Sequence, residues 1–388
     1  MKKTLLAIAA LAATTAASAQ SSVTVFGVID AAFTRDGGSV ASVSGLSAGN
    51  SASSRLGFRG IEDLGGGLKA GFWLEAGLLN DSGAGTTNSS TNNVTASTVA
   101  NSLQFGRRAT VSLIGNFGEL RLGRDFVPSY YNDTFSPFGV TSIGTDVVVQ
   151  SNLIGQSQQR TSNGIHYFLP STLGGFYGHF HYALGEQPSN VVPAAAEDDG
   201  NYAGLRLGYK GGPVDVAFAY GKADLVRSPS GLNNDRSIAS IAGSYDLGAV
   251  KLTGEYSVQK IKNTVGAGFG NGGTASSGND TEGKAFGLGA IVPVGNGVVK
   301  VAYSRIEVEN GHGLGTEPRA SKLALGYVYN LSKRTALYTS VARLKNANGT
   351  AGGATLTTAA VRVAGISGAV AGPNSSSTGF EAGIRHSF

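Results

Sequence analysis

Apolar residues alternate with small or polar residues along most of the chain. Residues 202–209 show the pattern, with apolar side chains at Ala203, Leu205, Leu207 and Tyr209. Because successive side chains of a β-strand point to opposite faces, each such segment predicts a strand with one apolar and one polar face. Sixteen segments follow the pattern: residues 22–33, 52–62, 67–79, 103–114, 119–126, 160–170, 175–185, 200–211, 213–224, 235–247, 249–261, 282–293, 297–309, 319–331, 334–346 and 377–388.

Short turns and long polar loops alternate between the predicted strands. Tight turns are predicted at residues 63–66, 115–118, 211–213 and 330–333, where Gly, Asn and Asp favour chain reversal. The long connections are rich in Ser, Thr, Asn and Gly, and they include residues 80–102, 127–159, 263–281 and 347–376. One end of the sheet therefore carries turns and the other carries loops.

This organisation favours an all-β transmembrane antiparallel β-barrel of about 16 strands, apolar outside and wet inside. Lipid offers the backbone no hydrogen bonds, so a sheet in a membrane has to close on itself. A secreted Gly-rich β-solenoid or sandwich is the alternative that alternation alone leaves open. The regular exchange of short and long connections argues against that alternative.

Composition narrows the choice further. The 388 residues include 59 Gly and no Cys, and only 14% are charged, against about 25% in soluble domains. The 41% hydrophobic content excludes a highly charged disordered chain, and no apolar run after the N-terminus reaches the roughly 18 residues of a membrane-spanning helix. Without Cys there is no disulfide framework, thiolate metal site or Cys nucleophile.

The N-terminus has the features of a secretory signal. Lys2 and Lys3 precede an apolar run, and residues 17–19 form an A-x-A cleavage site. We therefore expect residues 1–19 to be a signal peptide and residues 20–388 to form the barrel. The formal charge falls from +5 to +3 when Lys2 and Lys3 are lost. The basic residues are not clustered densely enough to predict nucleic-acid binding.

Several stretches, in order along the chain, carry a family resemblance. They are residues 22–30 (SVTVFGVID), 54–60 (SRLGFRG), 62–72 (EDLGGGLKAGF), 115–124 (GNFGELRLGR), 325–335 (LGYVYNLSKRT) and 383–388 (GIRHSF). Together they resemble the general-diffusion porins of Gram-negative bacteria, particularly the β-proteobacterial (neisserial and comamonad) branch. The resemblance implies an outer-membrane channel for passive diffusion.

The resemblance also implies a homotrimer in which each barrel has its own pore. Its surroundings would be outer-membrane lipid and lipopolysaccharide, and Phe388 would end the signal that the outer-membrane assembly machinery reads. The third long loop, about residues 125–159, would fold inward and narrow the channel. Its residues 136–139 (SPFG) resemble the family's Pro-Glu-Phe-Gly turn but lack its Glu.

Charged side chains at the narrowest point would set the selectivity of such a channel. The third loop contains two acids and no Lys or Arg between residues 127 and 159. By the family's motifs, three wall arginines face it. The expected constriction therefore consists of Arg55, Arg107, Arg160, Asp133 and Asp146. Its balance of about +1, with the missing Glu, predicts a modest preference for anions among small hydrophilic solutes.

Alternation agrees with only part of this assignment. It directs Arg55 and Arg160 inward, but it directs Arg107 outward and Arg108 inward. A β-bulge or a strand at the trimer contact would reconcile pattern and resemblance. Either arginine therefore remains a candidate. The secondary pore-lining candidates are Arg59, Arg108 and Arg124.

The sequence offers no recognisable catalytic site, and we expect no enzyme activity and no cofactor. His179 and His181 share one face of a strand at a spacing that suits a metal, but no third ligand is evident nearby, so no metal site is predicted. An outer-membrane adhesin and a barrel enzyme are the alternatives. Conductance in a planar bilayer would separate a channel from both.

Overall fold

The computed structural model describes residues 22–86, 102–150, 159–187, 197–225, 234–262, 280–309, 317, 319–348 and 375–388. The expected signal peptide, residues 1–19, lies outside them. The strands are β1 (Ser22–Gly37), β2 (Val43–Ala48), β3 (Arg55–Gly65), β4 (Leu68–Leu79), β5 (Ala84–Gly85), β6 (Arg108–Gly115), β7 (Gly118–Phe126), β8 (Arg160–Phe168), β9 (Phe176–Ala183), β10 (Tyr202–Gly211), β11 (Val214–Leu225), β12 (Asn234–Asp246), β13 (Lys251–Ile261), β14 (Thr281–Val294), β15 (Gly297–Glu309), β16 (Arg319–Asn330), β17 (Thr335–Ala347) and β18 (Ser376–Ser387).

Sixteen of these strands form a closed antiparallel barrel, as the sequence predicts. Each barrel strand pairs with its neighbours in chain order, with β3 following β1 and β6 following β4. The last strand, β18, pairs with β1 from Val28 opposite Ser387 to Gly37 opposite Thr378. This pairing leaves the barrel without a free edge.

The two remaining strands are short and were not predicted. β2 pairs with the second half of β1, while β3 pairs with the first half, so the two act as one interrupted strand. β5 pairs with the last residues of β4. The predicted strand at residues 103–114 was too long at its start, because β6 begins only at Arg108.

Large apolar side chains cover the outside of the barrel. Phe33, Val111, Ile241, Leu323 and Val341 are all exposed, and each lies on a different strand. Exposed apolar residues in a continuous belt are typical of a surface that meets lipid. The short turns lie together at the end where β3 joins β4 and β16 joins β17.

Helix is scarce in the described part of the chain. Two short helices occur between β7 and β8, and they are α1 (Tyr130–Asp133) and α2 (Val147–Gln150). Among the described residues, no helix has the length and hydropathy needed to cross a membrane.

Candidate functional site

The connection between β7 and β8, residues 127–159, is called the constriction loop here. Its described part packs against the inner face of the barrel wall. Phe138, Ile143 and Val147 are buried among inward-facing Ala, Ile, Val and Leu side chains of β14–β17, such as Ile306 and Leu344. Apolar residues on the inner face of a water-filled barrel would raise the free energy of the fold if they met water, and the loop covers them.

Glycines on the wall make room for this loop. A Cβ atom at any of three wall glycines would come within 3.0 Å of a loop side chain, closer than at least nine in ten real Cβ contacts. The pairs are Gly287 with Asp146 (3.0 Å), Gly289 with Pro137 (2.2 Å) and Gly326 with Phe138 (2.7 Å). The inward glycines of β14 and β16 therefore form the surface on which the loop rests.

Hydrogen bonds fix the loop at several points along the same wall. Nζ of Lys322 donates to the backbone oxygen of Thr145 at 2.8 Å. The backbone N–H of Val147 donates to Oγ of Ser304 at 2.9 Å. Closer to β8, Nδ2 of Asn132 donates to Oγ of Ser240 at 2.9 Å. The loop is thus held to β12, β15 and β16 rather than standing above the barrel.

Three predicted arginines meet near one carboxylate on the opposite wall. Nε of Arg107 lies 2.6 Å from Oε1 of Glu75, and Nε of Arg55 lies 3.8 Å from the same atom. Arg160 donates from Nε to the backbone oxygen of Arg107 at 2.9 Å, and its guanidinium lies 4.0 Å above the ring of Phe126. The structure therefore brings Arg55, Arg107 and Arg160 together.

Both candidates of the Arg107–Arg108 pair lie in this region of the lumen. Arg108 is the first residue of β6 and stacks on Trp73, with its guanidinium carbon 4.5 Å from the ring centroid. Arg107 precedes the strand, so alternation does not govern it, and its side chain reaches Glu75. The inference from alternation that Arg107 points outward was wrong for this reason.

The other arginines extend the cluster. Arg59 is exposed, with its guanidinium carbon 5.1 Å from the ring centroids of Phe26 and Trp73. Arg124 is buried and donates from Nε to the backbone oxygen of Gly106 at 2.6 Å. This contact indicates a structural role for Arg124 rather than direct contact with solutes.

Sequence reasoning missed several members of the cluster. Arg121 donates to Asp125 at 2.6 Å and to Glu119 at 2.8 Å, and Glu75 lies beneath Arg55 and Arg107. All four residues lie at inward-facing positions of β4 or β7. The alternation of polar and apolar residues in the sequence therefore already indicated them. We call the whole group the arginine wall; it consists of Arg55, Arg59, Arg107, Arg108, Arg121, Arg124, Arg160, Glu75, Glu119 and Asp125.

The two predicted acids of the loop lie against the wall opposite the arginines. Asp146 is 5% exposed and lies beside Gly287, and the positive charge of Lys322 acts on its carboxylate. Burial raises the pKa of Asp146 to about 6, although the charge of Lys322 acts in the opposite direction. Asp146 therefore lies across the pore from the arginine wall.

Asp133 contacts a second carboxyl group, that of Glu255 on β13. Burial raises the pKa of Asp133, while Arg236 nearby lowers it. Two carboxyls in contact cannot both ionise freely, so the pair carries less than two full negative charges. The loop therefore brings less negative charge to the constriction than a count of its acids implies.

Three histidines lie on neighbouring inward positions of β8 and β9. His166 stands beside His179 and His181, the pair that the sequence singled out. The expectation that no third ligand lies nearby was therefore wrong. The sequence separation hid His166, because only the register of β8 against β9 brings it to the pair.

The sequence as a whole matches known proteins. The family described as Gram-negative porin matches residues 5–349. Outer membrane porin protein 32 of Delftia acidovorans is 37% identical over 396 aligned positions, which cover 100% of both chains. An outer membrane porin protein of Bordetella pertussis is 30% identical, covering 89% of this chain and 95% of its own.

Solved structures share the architecture. The anion-selective porin from Comamonas acidovorans superposes with a TM-score of 0.74 at 34% identity, over 95% of this chain and 100% of its own. The trimer form of OmpT from Vibrio cholerae gives a TM-score of 0.63 at 13% identity, over 95% of this chain and 99% of its own. At that identity the second likeness concerns the fold alone.

Proposed function

Because the chain belongs to the Gram-negative porin family and is an outer-membrane channel rather than an enzyme, we propose that its pore weakly prefers anions and that it works as a homotrimer. Each pore would carry small hydrophilic solutes and anions down their gradients. The arginine wall is the observation that supports the preference. It contains seven arginines and three carboxylates, which leaves four positive charges.

The mechanism is electrostatic. A lumen lined by one sign of charge between low-dielectric walls concentrates counter-ions, and partly hydrated anions enter it at a lower free-energy cost than cations do. Arg55 is 28% exposed at its side chain and Arg59 is also exposed, so both reach lumen water. Arg107 and Arg160 are more buried and contribute through their field.

The acids of the loop offset this charge only in part. Asp146 is buried against the opposite wall, and Asp133 lies against Glu255, where the two carboxyls cannot both ionise freely. The Pro-Phe step at residues 137–138 adds no carboxylate. The relative from Comamonas that is named anion-selective is consistent with this proposal.

The trimer and the membrane partners belong to the same proposal. The small outward residues Gly27, Ala31 and Gly60 on β1 and β3 suit close contact between subunits. The apolar belt suits outer-membrane lipid, and the loop end suits lipopolysaccharide. Phe388 would be read by the assembly machinery. The trimer form of a fold relative, OmpT, is consistent with this assembly.

Reversal potentials in a salt gradient across a planar bilayer test the preference. We expect wild-type protein to favour anions, more strongly at low ionic strength because salt screens the arginine wall. The Arg55→Ala, Arg107→Ala and Arg160→Ala variants should each lose part of the preference. Arg343→Ala, which removes an exposed arginine from the outer face of β17, is the matched control.

Two results would contradict the proposal. The first is a cation preference in the wild type. The second is an unchanged anion preference in the variant that lacks Arg55, Arg107 and Arg160 together. In the same bilayers, conductance steps that occur in groups of three would support the trimer. Single conductance steps at every protein concentration would contradict it.

A further inference from the structure

We propose that His166, His179 and His181 form a binding site for a divalent transition-metal ion on the inner wall of the barrel. The site lies on β8 and β9, behind the first residues of the constriction loop. It adjoins the arginine wall at Arg121, the strand partner of His166, but nothing in the selectivity mechanism uses it.

The strand register creates the cluster. His181 is the direct partner of His166 across the β8–β9 pair, and His179 is two residues away on the same face of β9. Direct cross-strand partners have Cβ atoms about 4.5–5.5 Å apart, so their imidazoles meet. One nitrogen from each of the three rings lies within 4.8 Å of the others.

A glycine on β8 lets the histidine rings come together. A Cβ atom at Gly164 would lie 2.5 Å from Nε2 of His166 and 2.9 Å from Nε2 of His181. Because Gly164 has no side chain, the two imidazole rings can pack this close to the backbone of β8. Zinc binds imidazole nitrogen at about 2.0–2.1 Å, so the rings would rotate to bring their nitrogens to about 3.3 Å from one another around a tetrahedral ion.

In the described part of the chain, two ring nitrogens of the cluster have no partner, whereas Nδ1 of His166 lies 3.1 Å from Nε2 of His179 within it. Nδ1 of His179 and Nδ1 of His181 are buried and have no hydrogen-bond partner among the described residues. The three residues are 0%, 3% and 4% exposed in the order His166, His179 and His181. Buried polar atoms normally have a hydrogen-bond partner, and one without a partner calls for an explanation such as a bound ion.

The donor set indicates the class of ion. Three neutral imidazoles suit Zn²⁺, Cu²⁺ or Ni²⁺, whereas Mg²⁺ and Ca²⁺ prefer oxygen ligands. Three protein ligands leave a fourth position open, as in sites that also hold a water molecule. The hydroxyl oxygen of Thr161 lies 2.8 Å from Nε2 of His181, and this hydrogen bond would be given up if that nitrogen bound an ion.

The site contacts the constriction loop. The ring of Tyr131, a residue of α1 in the constriction loop, lies edge-on to the ring of His179, and the two ring centroids are 5.6 Å apart. A bound ion would join β8 to β9 directly behind this loop. It would also add two positive charges near Arg121 and so increase the anion preference. That second effect rests on the proposed selectivity, whereas metal binding does not.

Binding is tested first on untagged trimers in detergent, with Zn²⁺ titrated by calorimetry. We expect one saturable site per chain that excess Ca²⁺ and Mg²⁺ do not occupy. Cu²⁺ loaded at one equivalent should show nitrogen coupling from imidazoles in its electron paramagnetic resonance spectrum. Copper bound to residual lipopolysaccharide would show only oxygen ligands. That result, or the absence of a saturable site, would overturn the proposal.

Variants identify the residues. Loss of even a residue that only orients a metal ligand costs 10–100-fold in affinity, so His166→Gln, His179→Gln and His181→Gln should each weaken binding by roughly tenfold or more. His386→Gln, which alters an exposed histidine on β18, is the control. Unchanged affinity in all three variants would refute the site. The wild-type copper spectrum needs no variant and remains decisive if a substitution prevents folding.

Zn²⁺ should then shift the wild-type reversal potential toward stronger anion preference and leave that of His181→Gln unchanged. If Zn²⁺ binds but the potential does not move, the metal site stands and its link to selectivity fails. If the channel has no anion preference at all, only the proposed function fails.

Discussion

Gly27 and Phe388 exchange both of their backbone hydrogen bonds, and the ring of Phe388 covers the Cα of Gly27. The two N–H···O distances are 3.1 and 3.2 Å. A Cβ atom at Gly27 would lie 2.4 Å from Cζ of Phe388, so only glycine leaves room for the ring. The final residue therefore packs across the closure between the first and last strands of the barrel.

Deletion of Phe388 should lower the yield of outer-membrane trimers much more than it changes the conductance of the trimers that form. The deletion removes two hydrogen bonds at the closure and an aromatic end group that faces outward. Trimers are measured on unheated gels of outer membranes. Phe380→Ala, which removes another exposed outward ring from β18, is the control. A normal yield from the deletion strain would refute this prediction.

Gly289→Val should displace the constriction loop and lower single-channel conductance. The new side chain would strike Pro137, whose ring cannot rotate away, and overpacking of this kind costs about 1–3 kcal/mol. Gly254→Ala on the neighbouring β13 is the control, because its Cβ would make only ordinary contacts, at 3.5 Å or more. Equal conductance in the two variants would show that the loop does not rest on β14.

Glu75→Gln should increase anion preference. The substitution keeps the shape of the side chain but removes the negative charge beneath Arg55 and Arg107. The loss of a hydrogen bond between charged groups should also cost about 1–3 kcal/mol of trimer stability, measured by thermal denaturation. A shift of the reversal potential toward cations would contradict this prediction and the arginine wall with it.

Anion preference should rise as the pH falls from 8 to 5. The pKa of Asp146 is raised by burial to about 6, so the loop loses negative charge over this interval. Reversal potentials at a series of pH values measure the effect. The Asp146→Asn variant should show a smaller change, and an identical pH dependence in both proteins would exclude Asp146 as the titrating group.

The same group should make loop docking stronger at low pH. The folded-state pKa of about 6 lies above the usual value of 3.8, so the docked loop binds more protons between these pH values than a released loop does. Stability therefore increases as the pH falls through this window and decreases as it rises. Proteolysis of the loop at pH 5 and pH 8 would measure this, and faster cleavage at pH 5 would contradict it.

The barrel itself was readable from the sequence, because alternation and turn residues act over short distances. β15 and β17, for example, begin and end within a residue or so of their predicted limits. The sequence pattern did not predict β2, because its six residues are mostly small and pair only with the second half of β1. Such pairing depends on the path of the chain, which no local pattern records.

The site was only partly readable for a similar reason. Motif resemblance indicated Arg55, Arg107 and Arg160, and alternation would also have given Glu75. The positions of Asp133 and Asp146 depend on how the loop lies on the wall, and that depends on glycines more than a hundred residues away in sequence. His166 joins its partners only through strand register, which a shift of one residue would reverse.

The glycine surface beneath the constriction loop has an evolutionary consequence. The loop rests mainly on strands from the C-terminal half of the chain, while the arginines come from strands of the N-terminal half. A mutation that adds a methyl group under the loop changes the width of the opening and leaves its charge alone. A mutation among the arginines does the reverse. Size exclusion and ion preference can therefore diverge independently among descendants of one gene.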